Sequence, residues 1–243
     1  MLRWPFHIFR LPWGRASFGL SSAAVIGAKV MKSLGERMEE TRRSFDPVWD
    51  VLYDRFVESL RAAGAASNTP KVGDALVGFA LPDSRGRYVS SLDLLAQGPL
   101  VLSFYRGGWC PYCRTEMTAW AEAAPEVRRL GASFVAVTGE TGGEAEALRR
   151  KLDLGGEILV DVDHGLALEL GLVVHVTDEV RKAYLDFGRD LSQSYGSDAW
   201  FIPVPATYVV DRQGIIRFAE ADIDFRHRAE PEAVLQVLRE IGD

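Results

Sequence analysis

One short stretch of the chain most constrains its fold, because an apolar run leads directly into a pair of cysteines. Residues 100–105 are apolar and rich in β-formers, with Gly98-Pro99 before them and Gly107-Gly108 after them. Such a run is typical of a central strand that is buried on both faces. The segment Trp109-Cys110-Pro111-Tyr112-Cys113 follows at once and opens a helical pattern. The cysteines are therefore predicted to lie where a buried strand gives way to a helix.

This position predicts redox chemistry. Amides and the dipole at a helix N-terminus stabilise an anion by about 0.3–1 kcal/mol at exposed sites, so a thiol there loses its proton more readily. The two-residue gap lets the second sulfur resolve an attack by the first on a disulfide or a peroxide. Pro111 removes a competing backbone donor and stiffens the turn. We predict that Cys110 and Cys113, the only cysteines of the chain, are the catalytic residues.

Other interpretations of the cysteine pair fit less well. A structural zinc site needs four ligands, and the four histidines lack the usual paired spacing. A structural disulfide across so short a loop would restrain little of the unfolded chain, and two inert buried thiols would not explain the strand-to-helix position. No glycine-rich loop with phosphate-binding spacing opens a helix. We predict no metal and no cofactor.

The remaining pattern predicts an α/β fold with a mixed sheet. Strands and helices alternate from residue 100 to residue 170, which is typical of a sheet covered by helices. Two strands at 207–210 and 215–219 flank a four-residue turn and form a hairpin. Residues 175–203 have helical character at 178–187 and are predicted to be an insertion over one edge of the sheet.

We divide the chain into three parts. Residues 1–35 are a basic, acid-free extension, and they could be a targeting segment, a membrane-surface anchor or the product of a start codon assigned too early. Residues 36–71 are a helical arm and linker, in which an apolar stripe follows Asp46-Pro47 and ends at Gly64. The arm is predicted to pack on its own domain or to pair with a second copy in a homodimer. Residues 72–243 are the main domain.

Charge and cysteine content restrict partners and compartment. A formal net charge of −6 argues against general binding to nucleic acid, which needs a basic face. No run of about 18 apolar residues occurs, so we predict no membrane span. Two cysteines cannot form a stable disulfide framework, which favours a cytoplasmic enzyme whose thiols turn over.

At this point the sequence resembles a known family. The stretch from Ser103 to Cys113, together with Val204-Pro205-Ala206-Thr207-Tyr208-Val209-Val210-Asp211, resembles the peroxiredoxin-like branch of the alkyl hydroperoxide reductase and thiol-specific antioxidant family. The resemblance implies a thioredoxin fold. It also implies reduction of hydrogen peroxide or organic hydroperoxides by a cysteine thiolate, with a thioredoxin-type partner reducing the resulting disulfide.

The sequence departs from the family pattern at several positions. Typical members carry a proline, a threonine and the peroxidatic cysteine where this chain has Arg106, Cys110 and Cys113. Pro205 occupies the usual place of the family's arginine, so Arg106 or Arg114 is a candidate substitute. Pro205 also resembles the cis-proline that faces the cysteines of thioredoxins. We further predict that Trp109 covers the cysteines and contacts a partner.

These departures leave two catalytic models open. In the peroxidase model, Cys113 attacks the peroxide and Cys110 resolves the sulfenic acid. In the thioredoxin or glutaredoxin model, Cys110 attacks a substrate disulfide and Cys113 resolves the mixed disulfide. We favour the peroxidase, recycled by a thioredoxin- or glutaredoxin-type reductant. The non-enzymatic alternative is a redox sensor that reacts once. Glu116 is interpreted mainly as a favourable acidic residue in the first turns of the helix.

Overall fold

The predicted central strand does form the middle of a five-stranded sheet. The computed structural model describes residues 32–242, so the targeting, anchor or early-start interpretations of residues 1–31 lie outside the described residues. The sheet strands are β3 (Leu100–Phe104), β4 (Ser133–Thr138), β5 (Glu157–Val160), β8 (Ala206–Val210) and β9 (Ile216–Ala221). Their order is β5-β4-β3-β8-β9.

The sheet is mixed, as the sequence predicted. Strands β3, β4 and β5 are parallel, whereas β8 runs antiparallel to both β3 and β9. Leu102 is opposite Val135 of β4 on one side and Tyr208 of β8 on the other. Every residue of β3 is buried, which explains why the strand is apolar on both faces, apart from Ser103, rather than alternating.

Two short strand pairs lie outside the main sheet. Strands β1 (Ala80–Pro82) and β2 (Tyr88–Ser90) pair antiparallel and form a hairpin. Strands β6 (Val173–His175) and β7 (Phe201–Pro203) pair antiparallel at the two ends of the predicted insertion. The two ends of the insertion are therefore held side by side by this strand pair.

Helices cover the sheet and form the arm. They are α1 (Leu34–Arg43), α2 (Val48–Ala62), α3 (Ser91–Gln97), α4 (Pro111–Arg129), α5 (Glu144–Leu152), α6 (Gly165–Glu169), α7 (Asp178–Asp186), α8 (Leu191–Tyr195) and α9 (Pro231–Gly242), with a 3-10 turn at Val162–His164. No helix within residues 32–242 is long and apolar enough to cross a membrane.

The arm is two helices rather than one continuous helix. A capping box formed by Ser33 and Glu36 begins α1. Where α2 begins, the Asp46 carboxylate accepts a hydrogen bond from the Val48 backbone N–H at 2.9 Å. Helix α1 packs on α4, where the Thr41 and Thr115 hydroxyls are 2.9 Å apart. Helix α2 packs on α7 of the insertion.

Shortening a buried side chain in the central strand is expected to destabilise the fold strongly. Leu102 is fully buried between β4 and β8, so Leu102→Ala should lower the free energy of unfolding by about 2–5 kcal/mol. Leu92 on α3 is 78% exposed, and Leu92→Ala should change stability by about 0.5 kcal/mol or less. Urea unfolding of both variants tests this, and equal losses would contradict the assigned core.

Candidate active site

Both cysteines lie at the N-terminus of α4. Cys110 is the N-cap residue and Pro111 begins the helix, so the sequence-predicted strand-turn-helix arrangement is present. Both thiols are free, and the residues are 2% and 0% exposed respectively. The backbone N–H of Arg106 lies 3.4 Å from the Cys113 sulfur.

Glu140 stabilises the turn before the cysteines by a hydrogen bond to its backbone. Its Oε2 accepts a hydrogen bond from the Gly108 backbone N–H at 2.7 Å. Burial raises the pKa of this carboxyl to about 7, although its hydrogen bonds with backbone N–H groups lower that pKa. Gly107 has φ +143°, and a Cβ there would lie 2.6 Å from both the Glu140 Cδ and the Trp109 Nε1. The position therefore requires glycine.

Arg106 is buried beside the cysteine pair and the aromatic side chains around it. Its Nη2 donates to the Tyr184 hydroxyl at 2.8 Å, and its guanidinium carbon lies 4.0 Å and 4.9 Å from the ring centroids of Phe225 and Trp109. The Nε and Nη1 atoms are buried with no hydrogen-bond partner among the described residues. Arg106 therefore retains unused donors, and its charge lies close enough to stabilise a thiolate on Cys110.

A second buried arginine was missed by the sequence analysis. Arg228, in the loop between β9 and α9, places its Nη2 3.4 Å from the Cys113 sulfur. Its Nε donates to the Glu116 carboxylate at 2.7 Å, and the Ser103 hydroxyl lies 3.3 Å from the same carboxyl group. Burial raises the pKa of Glu116 to about 7, although Arg228 opposes the shift. Glu116 is thus part of a buried network behind Cys113 rather than an exposed helix-end acid.

The two thiols have opposite pKa shifts. Burial opposes ionisation of Cys110, but a hydrogen bond with the Cys113 side chain and the charges of Arg106 and Arg228 together lower its pKa to about 6. Burial and the neighbouring Cys110 sulfur raise the pKa of Cys113. The surrounding charges and the coupling between the thiols therefore favour ionisation of Cys110 over ionisation of Cys113.

A cavity of about 390 Å³ opens onto Cys110. Its lining comes from the arm (Ser44, Phe45, Trp49, Tyr53), the cysteine region (Arg106, Trp109, Cys110, Pro111, Tyr112, Arg114), the insertion (Tyr184, Phe187, Arg189) and the loop after β9 (Phe225). Cys113 is not among the lining residues. The arm and the insertion, to which the sequence assigned no chemistry, thus form walls of the site.

The other predicted site residues are placed as follows. Trp109 and Pro111 line the cavity, as does Arg114, whose Nη1 donates to the Gly108 carbonyl at 2.8 Å. Pro205 instead borders a small depression beside Arg228. The described chain has no cis peptide bond, so the expected cis-proline is wrong. Because Pro205 does not line the Cys110 cavity, it does not shape that entrance.

Residues 32–242 contain no cluster of His, Cys, Asp and Glu side chains suited to a metal ion.

The lowered pKa of Cys110 has a measurable pH dependence. Thiolate absorbance near 240 nm should rise with a midpoint near pH 6, whereas an ordinary cysteine titrates near pH 8.5. Because the folded-state pKa is lowered, this thiolate stabilises the fold fully above about pH 8.5 and the contribution is lost as pH falls through about 6. Cys110→Ser should remove the transition, and a wild-type midpoint above pH 8 would contradict the assignment.

Comparison with known proteins identifies the class. The AhpC/TSA family profile matches residues 72–219, and the chain belongs to the AhpC/TSA family. This confirms the resemblance seen in the sequence.

Individual relatives agree with this assignment. The chain is 23% identical over 154 residues to the chloroplastic peroxiredoxin Q of Sedum lineare, a match that covers 63% of this chain and 68% of the relative. The fold is similar to that of peroxidoxin BcpB from Mycobacterium tuberculosis, with a TM-score of 0.55 and 21% identity over 70% of this chain and 97% of the other. Peroxiredoxin Q of Xanthomonas campestris gives a TM-score of 0.52 at 19% identity, covering 68% and 92% of the two chains. These likenesses confirm the predicted thioredoxin-like fold.

Proposed function

We propose that this protein is a thiol peroxidase that reduces peroxides with the Cys110–Cys113 dithiol. The observation that carries the proposal is the position of Cys110. It is the cysteine of the pair that lines the cavity, its pKa is lowered to about 6, and Arg106 lines the same cavity. Membership of the AhpC/TSA family supports the same chemistry.

The geometry supports an order of attack opposite to the one favoured from the sequence. The Cys110 thiolate attacks one peroxide oxygen, the O–O bond breaks, and the departing alkoxide or hydroxide takes up a proton. Arg106 stabilises the charge that develops on the departing oxygen. The Cys113 thiol then attacks the Cys110 sulfenic acid, its proton joins the departing hydroxide, and water leaves as the disulfide forms. Arg228 stabilises a thiolate on Cys113 when the disulfide is later reduced.

Burial of the pair favours a small oxidant over a protein disulfide. Cys110 is 2% exposed beneath residues of the arm and the insertion, so a folded protein reaches it only if these segments open. The same restriction applies to recycling. We propose that a thioredoxin-type dithiol reduces the Cys110–Cys113 disulfide after such an opening, whereas a small dithiol can enter the cavity directly.

Rapid mixing of fully reduced protein with hydrogen peroxide or cumene hydroperoxide tests the proposed activity. We expect thiol loss much faster than for free cysteine at the same pH, with two thiols lost per peroxide and a Cys110–Cys113 bond identified by mass spectrometry. Continued turnover with thioredoxin and its reductase would separate an enzyme from a sensor that reacts once. Reaction no faster than free cysteine with either peroxide would reject the proposal.

A further inference from the structure

Reduction of a peroxide at Cys110 requires a proton at the departing oxygen. Cys110 reacts as a thiolate and has no proton to give, and an arginine guanidinium does not lose its proton in proteins. Among the described residues that line the cavity, none is aspartate, glutamate or histidine. The exposed Ser44 hydroxyl already donates to the Thr41 carbonyl at 2.6 Å. The remaining proton donors in the cavity are therefore the hydroxyls of its tyrosines.

The three tyrosines of the cavity differ in their relation to Arg106. The Tyr184 hydroxyl accepts a hydrogen bond from the Arg106 Nη2 at 2.8 Å. This bond occupies a lone pair of the hydroxyl oxygen and leaves its proton free to be donated. Burial raises the pKa of Tyr53, and it raises the pKa of Tyr112 to about 12. Tyr184 is therefore the tyrosine best placed to give up a proton.

Aromatic packing fixes the Tyr184 side chain within the site. The residue is 4% exposed, and its ring centroid lies 5.9 Å from that of Trp109, 6.1 Å from that of Trp49 and 6.4 Å from that of Tyr53. Trp109 directly precedes Cys110 in the chain. The contact between the two rings therefore holds Tyr184 of the insertion against the cysteine turn.

Arg106 can compensate a negative charge on the Tyr184 oxygen. Within residues 32–242, the Tyr184 hydroxyl is the hydrogen-bond partner of Nη2, and the Nε and Nη1 atoms have none. The guanidinium therefore has no carboxylate to neutralise it there. A positive charge at hydrogen-bond distance favours the ionised form of a phenol. Loss of the proton from Tyr184 is thus stabilised in place.

We propose that Tyr184 is a catalytic residue that donates a proton to the departing oxygen of the peroxide. The inference rests on the proposed peroxidase function. The Cys110 thiolate attacks the terminal oxygen of ROOH, the O–O bond breaks, and the Tyr184 proton moves to the departing RO oxygen. The products are the Cys110 sulfenic acid, ROH and a tyrosinate paired with Arg106. Solvent returns a proton to Tyr184 before the next turnover.

The test varies the departing group and removes a single hydroxyl. Hydrogen peroxide releases hydroxide, whereas peracetic acid releases acetate, a far weaker base that needs little help from a proton donor. Tyr184→Phe should slow the first step with hydrogen peroxide by about 10- to 100-fold, near the lower limit for general acid catalysis. With peracetic acid the loss should be less than about threefold, because the aromatic packing is retained. Absorbance near 240 nm gives the thiolate fraction, so that rate constants can be compared per thiolate.

Tyr208→Phe is the matched control. The Tyr208 hydroxyl is buried with no partner among the described residues, and the residue lies in β8 and does not line the cavity. This variant should react with both oxidants as the wild type does. If Tyr184→Phe slows peracetic acid as much as hydrogen peroxide or more, or slows neither, Tyr184 is not the proton donor, although a fast wild-type reaction leaves the peroxidase function intact. A wild-type protein that reacts with peroxides no faster than free cysteine would instead reject the proposed function itself.

Discussion

Cys110→Ser is expected to abolish fast peroxide reduction, with a loss of about a thousandfold or more in the rate constant, as for removal of a catalytic nucleophile. The reason is that Cys110 lines the cavity and carries the lowered pKa, whereas Cys113 is fully buried and its pKa is raised. Rapid mixing with peroxide, followed by quantification of remaining thiol, measures the effect.

Cys113→Ser is the matched comparison and should behave differently. It retains the nucleophile, so the first reaction with peroxide should persist at a reduced rate, because the Cys113 hydrogen bond contributes to the low pKa of Cys110. Turnover with a reductant should cease because no second sulfur forms the disulfide. The opposite pattern, in which Cys110→Ser keeps the first step and Cys113→Ser loses it, would restore the order favoured from the sequence.

Arg106→Met is expected to slow the first step by about 10²- to 3 × 10³-fold at pH 7. Without the Arg106 charge, the pKa of Cys110 should move from about 6 towards that of an ordinary cysteine, which would reduce the thiolate fraction by up to about 30-fold. Loss of the donor to the departing oxygen should contribute about another 10²-fold if that donor is fully engaged. The rate profile should shift to higher pH, and this shift distinguishes lost ionisation from a general loss of structure.

Arg106→Lys provides the control for charge. Lysine keeps the positive charge but lacks the planar group that contacts Phe225 and donates to Tyr184. It should restore part of the low pKa while leaving the rate constant for the thiolate below that of the wild type. If Arg106→Met shows a wild-type pH profile and an unchanged thermal transition, the role assigned to Arg106 is incorrect.

Local patterns were sufficient to predict the main sheet and its helices. The continuous apolar run at residues 100–105 became the central strand, and the turn at residues 211–214 became the β8–β9 hairpin. Asp46-Pro47 predicted the start of α2, which does begin at Val48 directly after this pair. Family resemblance supplied the thioredoxin-like arrangement, because alternation of strands and helices alone fits many α/β folds.

The residues predicted near the helix N-terminus do lie together in space, whereas several neighbours of the cysteine pair were not predicted. Arg106, Trp109 and both cysteines lie together because they are close in sequence. Arg228 is 115 residues from Cys113 and lies in a loop with no motif of its own, so only the folded chain brings it to the sulfur. Tyr53 of the arm and Tyr184 of the insertion reach the cavity for the same reason. Pro205 is a site residue that the sequence predicted incorrectly. It resembles a cis-proline in sequence, but the described chain has no cis peptide bond.

The central claim is that Cys110 is the sulfur oxidised by peroxide, and trapping of the sulfenic acid tests it most directly. Each single variant, Cys110→Ser and Cys113→Ser, would be mixed with about one equivalent of peroxide in the presence of dimedone, and the modified residue located by mass spectrometry. We predict rapid dimedone labelling of Cys110 in Cys113→Ser and little labelling of Cys113 in Cys110→Ser. Rapid labelling of Cys113 with Cys110 absent, and none of Cys110 with Cys113 absent, would contradict the claim.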